Sequence, residues 1–376
     1  MAREIISTGN DLAAIAAVDA GCEFFGGYPI TPSSEVMHTI SDLLPANGGA
    51  AIQMEDEIAG ICAAIGGAMS GKRSMTATSG PGISLKSENI GLAYIAEVPL
   101  VIVNVMRGGP STGLPTRVAQ GDILQAKTPT HGDYKSITLC AGTLSECYTE
   151  TVRAFNLADR FMQPVFVLLD ETIGHMSGKA VLPTKEEVKA GIVGRKTFDG
   201  NPSDYKPYEC ENDQPAVLNP MFQGYRYHFT GLHHDEKGHP TEDEKKCDDL
   251  INRLFRKVEN YTDEIEYNEE YMLDDADIMI IAYGSMALSV KEAVNRLRAE
   301  GIKVGMFRPI TLWPSPAKRI KELCDKFNKV LVTELNLGQY LEEIERASGR
   351  RDFTTLFKAN GRPIAPIEIV EKVKGM

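Results

Sequence analysis

The sequence predicts an α/β protein: a doubly wound domain over residues 1–190 and a smaller α/β domain over residues 275–376, joined by an irregular connecting region at 191–274. Three observations carry this. Short apolar runs alternate with alanine-rich helical stretches through residues 10–175, the pattern of a parallel sheet covered on both faces. That alternation gives way across 191–274 to Asp, Glu, Tyr, His, Asn and Pro, and it resumes at Ile278-Met279-Ile280-Ile281. The chain has 376 residues, and a single core rarely grows past about 250–300 residues.

Element by element, helices are expected at Asp11 to Ala20 and Glu57 to Ser70, with Gly21 at the left-handed position where the first one stops. Thr31 followed by Pro32 reads as an N-cap with proline at the first helical position. Strands are expected at Ala51 to Met54, Ser74 to Thr78, Pro99 to Val105 and Pro164 to Leu169. Some helix is expected within the connecting region at Glu242 to Tyr261. In the second domain a strand at Ile278 to Gly284 leads into a helix at Ala287 to Glu300 and a strand at Lys303 to Phe307.

Composition excludes several classes of function. Forty Lys and Arg against 52 Asp and Glu leave a net charge of −12, the wrong sign for a phosphate-backbone binder or an anionic membrane surface. No stretch reaches the roughly 18 apolar residues of a membrane span, and no apolar core follows the charged start, so a cytoplasmic location is expected. Seven scattered cysteines form no Cys-x-x-Cys pair and read as buried reduced thiols rather than zinc or cluster ligands. His233, His234 and His239 lie among acids but lack the tight spacing of a metal site, so no metal is assigned to this chain.

The motifs are more specific. Gly66-Gly67-Ala68-Met69-Ser70-Gly71-Lys72 resembles a P-loop only in letters: Arg73 replaces the magnesium-binding hydroxyl, and a helix rather than a strand precedes it. Gly80-Pro81-Gly82 follows a strand and opens a helix, where backbone can approach a ligand closely. Glu57 starts a helix thinned by Gly60, Gly66 and Gly67, at the end of a strand, where carboxylates are favoured and where ligands gather. Arg107 ends the strand that begins at Leu100 and precedes Gly108-Gly109-Pro110-Ser111-Thr112-Gly113.

Asp56-Glu57-Ile58-Ala59, the Ala/Gly helix, and Thr78-Ser79-Gly80-Pro81-Gly82 together resemble the pyrimidine-binding domain of thiamine diphosphate enzymes. Gly27-Tyr28-Pro29-Ile30-Thr31-Pro32-Ser33-Ser34-Glu35, the loop after Arg107, and Thr230 to Pro240 resemble the alpha subunit of the 2-oxoacid:ferredoxin oxidoreductases, and a free-standing chain of this length resembles the 2-oxoglutarate enzyme more than the pyruvate enzyme. Arg308 to Pro314 resembles the transketolase C-terminal-like domain. The resemblance implies that Glu57 hydrogen-bonds N1′ of the aminopyrimidine and that Ser79, Gly80, Pro81 and Gly82 lie beside the ring. It implies substrate contacts for Thr31 and Arg107. For a second substrate carboxylate Arg117, Ser111 and Thr112 are the candidates. The Gly-Asp-Gly turn that holds diphosphate and magnesium in such enzymes is missing here, as are cluster cysteines. Both, with further gamma and ferredoxin-like delta subunits, are therefore expected on partners, with a beta subunit carrying the Mg2+ site and an iron–sulfur cluster. Ferredoxin would take the electrons and coenzyme A the acyl group. Pyruvate or a branched-chain 2-oxoacid is the alternative substrate, and a non-catalytic scaffold the alternative role.

Overall fold

The structure is a computed structural model that describes residues 2–376. The chain runs β1 (Arg3–Thr8), α1 (Gly9–Asp19), β2 (Phe24–Gly27), α2 (Ser34–Ala46), β3 (Ala50–Gln53), α3 (Glu57–Met69), β4 (Ser74–Thr78), α4 (Gly80–Ile95), β5 (Leu100–Gly108) and β6 (Leu114–Val118). It continues α5 (Ile123–Lys127), β7 (Ile137–Cys140), α6 (Leu144–Phe161), β8 (Pro164–Asp170), α7 (Glu171–His175), β9 (Ser177–Leu182) and α8 (Lys185–Ala190). After a long irregular stretch come α9 (Glu244–Glu259), α10 (Thr262–Ile265), β10 (Asn268–Tyr271), β11 (Ile278–Ile281), α11 (Met286–Ala299), β12 (Val304–Pro309) and β13 (Thr311–Trp313). Last are α12 (Ala317–Lys326), β14 (Lys329–Glu334), α13 (Leu341–Ser348), β15 (Thr354–Phe357) and α14 (Pro366–Lys374).

The large sheet has the order β13-β7-β8-β5-β4-β2-β3, with β6 folded back onto β5. The five pairings that join its six central strands from β7 to β3 are parallel, and only β13 and β6 run antiparallel to their neighbours. Alternation along β5 explains the two covers. Val101, Val103 and Val105 face the core under α1, α2 and α6, whereas Leu100, Ile102 and Met106 face the core under α3 and α4. The chain lays β3 on one side of β2 and β4 on the other. That reversal opens a crevice beyond the carboxyl ends of β2 and β4, the place where open α/β sheets bind ligands.

The second sheet has the order β10-β12-β11-β14-β15. Helices α11 and α14 cover one face. The other face, with α12 and α13, shares a continuous apolar cluster with the α3/α4 side of the large sheet. The two sheets are therefore packed through one core. Arg308, 1 % exposed, reinforces the contact. Its guanidinium donates to both oxygens of Glu146 on α6, at 2.7 and 2.5 Å, and to Glu269 on β10 at 2.7 Å.

Most elements lie where the sequence puts them. Gly21, at φ +82°, ends α1 with the N–H of Cys22 bonded to Ala17 O and its own N–H to Val18 O. Four differences are informative. Thr31 is not an N-cap: Ser33 N–H closes a turn on Ile30 O, so the helix cannot start before Ser34. The stretch 191–274 ends in β10, whose polar sequence Asn-Glu-Glu-Tyr suits an edge strand and hides it from an apolar-run search. Thr311–Trp313 leaves the second unit to pair with β7 of the large sheet. Of the seven free cysteines, Cys22, Cys140, Cys147 and Cys324 are buried, but Cys62 is exposed on α3. No helix among the described residues is long and apolar enough to cross a membrane.

The connecting stretch is tied down by buried charge. Glu97, fully buried after α4, accepts from Arg253 at 2.5 Å and Lys257 at 3.0 Å, both on α9, and from the N–H of Ala216 at 3.1 Å. Burial would raise its pKa, but the two cations win and hold it at about 2. A depressed carboxylate stabilises the fold above its unfolded value, and the contribution disappears as pH falls. Glu97→Gln should therefore cost about 3–5 kcal/mol near neutrality, the usual loss for breaking a buried ion pair. Thermal unfolding of wild type should also fall between pH 4.5 and about 2 more steeply than that of the variant.

Candidate functional site

Four loops meet at the crevice, each leaving the carboxyl end of a strand: Tyr28–Ser33 after β2, Met54–Asp56 after β3, Ser79 after β4, and the end of β5 at Arg107. The first helical residue after β3 is Glu57. Asp56 takes the cap position, its side chain accepting from Ala59 N–H at 2.7 Å, which leaves the Glu57 carboxylate free of capping duty. Glu57 is 6 % exposed. Among the described residues, no side chain or backbone group donates a hydrogen bond to its carboxylate.

Glycines set what lies against that carboxylate. A Cβ at Gly82 would come within 3.1 Å of Glu57 Oε1 and 2.0 Å of Thr78 Oγ1, so only glycine leaves the notch open. A Cβ at Gly80 would lie 2.9 Å from Asp122 Oδ2. Close packing behind the notch is equally strict: a Cβ at Gly26 would meet Gly60 O at 2.7 Å, so β2 and α3 touch backbone to backbone.

Around the notch are buried polar atoms that nothing among the described residues satisfies. Ser79 Oγ, Asn104 Oδ1 and Arg107 Nε have no hydrogen-bond partner. Native interiors rarely leave such groups unpaired, and three around one crevice suit a place where a ligand supplies the partners. Arg107 reaches Thr31 with one arm only, Nη1 donating to the Thr31 carbonyl at 2.6 Å. Burial lowers its pKa, opposed by the charges of Asp122 and Glu57. Asp122 accepts from Asn104 Nδ2 at 3.0 Å. Burial pushes its pKa up against that hydrogen bond and the charge of Arg107.

Of the residues singled out from sequence, the structure places Glu57, Thr31, Arg107, Ser79, Gly80, Pro81 and Gly82 at this crevice. Thr31 contributes its carbonyl to Arg107, with its side chain exposed. Ser111 and Thr112 are exposed at the tip of the β5–β6 hairpin. Arg117 lies one residue before Val118, the cross-strand partner of Arg107, so it faces the other way; its stem packs on Gly361 of the second unit.

Sequence reasoning passed over Asn104, Asp122 and Lys86. Asn104 is the one polar side chain within the apolar run Val101–Met106, and Lys86 falls one helical turn after Gly82 on the inward side; both were readable signals. Asp122 was not, because a distant side chain places it. Gln339 Oε1 accepts from the N–H groups of Ile123 and Leu124 at 3.1 and 3.2 Å, and its Nε2 donates to Gly121 O at 2.7 Å. Gathered metal ligands are not found: no group of three or more His, Cys, Asp or Glu is assembled among the described residues.

Two glycine substitutions separate the notch from the rest of the helix pair. Gly82→Ala should destabilise the chain by about 1–3 kcal/mol through overpacking. Gly66→Ala, where an added Cβ meets open space, should stabilise it by about 0.5–1 kcal/mol. Thermal unfolding of the two variants checks the opposite signs.

Comparison with known proteins agrees with this geometry. Residues 15–252 match the family described as "Pyruvate flavodoxin/ferredoxin oxidoreductase, thiamine diP-bdg", and residues 276–369 match "Pyruvate:ferredoxin oxidoreductase core domain II". The 2-oxoglutarate synthase subunit KorA of Methanothermobacter marburgensis is 43 % identical over 100 % of both chains. The ketoisovalerate oxidoreductase subunit VorB of Methanothermobacter thermautotrophicus is 36 % identical over 100 % of this chain and 98 % of its own. The 2-oxoglutarate:ferredoxin oxidoreductase from Magnetococcus marinus, solved with 2-oxoglutarate, coenzyme A and succinyl-CoA bound, superposes with a TM-score of 0.93 at 37 % identity. That match covers 99 % of this chain, which spans 65 % of the other. Full-length similarity to such subunits, and a thiamine-diphosphate-binding match laid over the crevice of Glu57 and Gly82, place this chain in the pyruvate flavodoxin/ferredoxin oxidoreductase family.

Proposed function

We propose that this chain is the pyrimidine-binding subunit of a thiamine-diphosphate-dependent 2-oxoglutarate:ferredoxin oxidoreductase that works in the cytoplasm. The observation that carries the reading is the buried Glu57 carboxylate, without a donor in the chain, facing a glycine notch ringed by three unpartnered polar atoms. Such a cradle suits a flat heterocycle that has a ring nitrogen for the carboxylate and an edge for the hydroxyl and amide groups. Thiamine diphosphate, when bound, supplies the electron sink for losing carbon dioxide from a 2-oxoacid. Glu57 would hydrogen-bond N1′ of the aminopyrimidine through its carboxylate. Ser79, Gly80, Pro81 and Gly82 line the ring. Arg107, still cationic, keeps a free Nε for the substrate carboxylate, and Thr31 fixes its other arm. The distal carboxylate of 2-oxoglutarate goes to the Gly108–Val118 hairpin, where the Ser111 and Thr112 hydroxyls are exposed; Arg117, which faces away from Arg107, is the less suited of the three candidates.

The diphosphate, its Mg2+ and the iron–sulfur cluster belong on a beta subunit, since this chain has neither a Gly-Asp-Gly turn nor paired cysteines. Gamma and delta subunits, ferredoxin and coenzyme A complete the assignment. Identity to relatives named for 2-oxoglutarate, 43 and 44 %, exceeds the 36 % to the ketoisovalerate subunit, and this favours the dicarboxylic substrate. Branched-chain 2-oxoacids are the second reading, tested by competition on the assembled enzyme. A scaffold role is disfavoured because a buried carboxylate without a donor costs stability and serves no scaffold.

The purified chain alone should bind thiamine diphosphate weakly and show no oxidoreductase activity; tight calorimetric binding with Mg2+ by this chain would overturn the split site. Glu57→Gln in the assembled complex should retain the fold but slow hydrogen–deuterium exchange at C2 of the cofactor by about 10²–10⁴-fold. Arg107→Lys should lower kcat/KM for 2-oxoglutarate by about one to two decades, the worth of one charge-assisted hydrogen bond. Its melting temperature should stay near wild type. A lowered melting temperature with unchanged kcat/KM would make Arg107 a scaffold residue.

A further inference from the structure

Lys86 lies on α4, one turn after Gly82, and is fully buried. Its ammonium forms no ion pair among the described residues. It donates to the backbone carbonyl of Glu57 at 3.0 Å and to Thr76 Oγ1 on β4 at 3.3 Å. Room for it comes from Gly60 on α3, where an added Cβ would stand 3.4 Å from Lys86 Nζ. The amine thus spans α4, the strand beneath, and the first residue of α3, at the point where the Glu57 side chain departs.

Nothing about this arrangement favours stability by itself. A buried ammonium with two neutral acceptors recovers little of its lost hydration. Burial pushes Lys86 down to about 8, opposed by the charges of Glu57, Asp56 and Cys62, all on or next to α3. A group whose pKa falls on folding disfavours the folded state wherever it stays protonated, which includes neutral pH. The fold would be no worse with a methionine of similar reach. The contacts instead have a geometric effect. Without Lys86 the start of α3 is held by Asp56 and by glycine packing alone, and the Glu57 carboxylate can swing in a notch that no side chain fills.

We propose that Lys86 is a positioning residue for Glu57: its buried ammonium pins the first turn of α3 through the Glu57 carbonyl and sets a fixed positive charge behind the Glu57 carboxylate. The inference rests on the assignment of Glu57 to the aminopyrimidine. Misplacing a reacting group by an ångström costs about a hundredfold in rate, so the loss should be large for a residue that touches neither cofactor nor substrate.

The test uses the assembled complex and four chains: wild type, Lys86→Met, Thr76→Val and Glu57→Gln. Three quantities are read: melting temperature of the isolated chain, calorimetric Kd for thiamine diphosphate with Mg2+, and the rate of hydrogen–deuterium exchange at C2. Lys86→Met should melt at or above wild type, bind the cofactor several-fold more weakly, and exchange C2 roughly ten- to a hundredfold more slowly. Thr76→Val, which removes one of the two acceptors, should fall between it and wild type. Wild-type exchange in Lys86→Met, or a lowered melting temperature with exchange unchanged, overturns the proposal and leaves Lys86 a packing residue. If Lys86→Met does not assemble, Thr76→Val decides, and an unchanged exchange rate there overturns it. If Glu57→Gln exchanges at the wild-type rate, the assignment of Glu57 itself fails, and the role of Lys86 fails with it.

Discussion

Helix α3 touches the large sheet backbone to backbone. Gly26 and Gly27 on β2 face Gly60 on α3, and a Cβ at Gly26 or Gly60 would lie 2.7 Å from Gly60 O or 3.1 Å from Gly27 Cα, respectively. Helices usually ride on sheets through a layer of side chains, so removing that layer draws the start of α3 down to the strand ends. Glu57 is carried with it into the crevice between β2 and β4 instead of standing out in solvent, where an acidic residue at a helix start would normally be. The same closeness leaves a small space under α3, which Lys86 fills. Gly82 completes the arrangement from the side of α4. The helical glycines Gly60 and Gly82 cost about 1 kcal/mol each of helix propensity, and what is obtained is a buried acid at the strand ends.

The second unit does more than hang from the first. One apolar cluster runs from Ile61 and Ile90 through Phe166 to Trp313 and Tyr340, so the α3/α4 face and the α12/α13 face are the two sides of the same core. Polar contacts at its edge are directed at the site. Gln339 holds both sides of Asp122 by main-chain hydrogen bonds, and Trp313 Nε1 donates to Ile123 O at 3.0 Å. Asn336 Nδ2 donates to Gln120 O at 2.6 Å, while Gln120 Oε1 accepts from Leu335 N–H at 3.0 Å. The segment Gln120–Leu124 has little regular structure of its own; the second unit supplies its partners. Asp122 is therefore fixed relative to Arg107 and Asn104 only when both units are docked.

The polar stretch after residue 191 is attached by a different interaction. It contributes a few buried apolar side chains, among them Tyr208, Leu218, Val258 and Ile265. Arg253 and Lys257 on α9 reach a fully buried Glu97 that no other cation among the described residues serves. Arg195 adds a second anchor, bonding Asp159 at 3.1 Å and the carbonyl of Ala68 at 2.6 Å near the end of α3. The connecting stretch thus braces α3 at its far end while Lys86 holds the near end.

From the sequence by itself came the alternation that makes a doubly wound sheet, the restart at Ile278, and the residues Glu57, Gly80, Gly82 and Arg107 at strand ends. These were legible because each rests on local rules: period-two and helical patterning, glycine where backbone must come close, and charge at a helix start. The polar edge strand β10, the transfer of β13 to the large sheet, and the true start of α2 after the Ile30–Ser33 turn were not. Edge strands have no apolar run to betray them, strand exchange between units depends on docking, and a turn competes with a helix by less than sequence patterns resolve. The site shows the same division. Residue type and position marked the candidate groups, since acid, guanidinium and glycine are properties of single positions, and the resemblance to thiamine diphosphate enzymes supplied the roles expected of them. Tertiary structure alone decided which polar atoms are left without partners, that Asp122 joins Arg107, and that Lys86 stands behind Glu57. Those facts depend on contacts across 18 to 218 residues of chain, and only the packed core sets them.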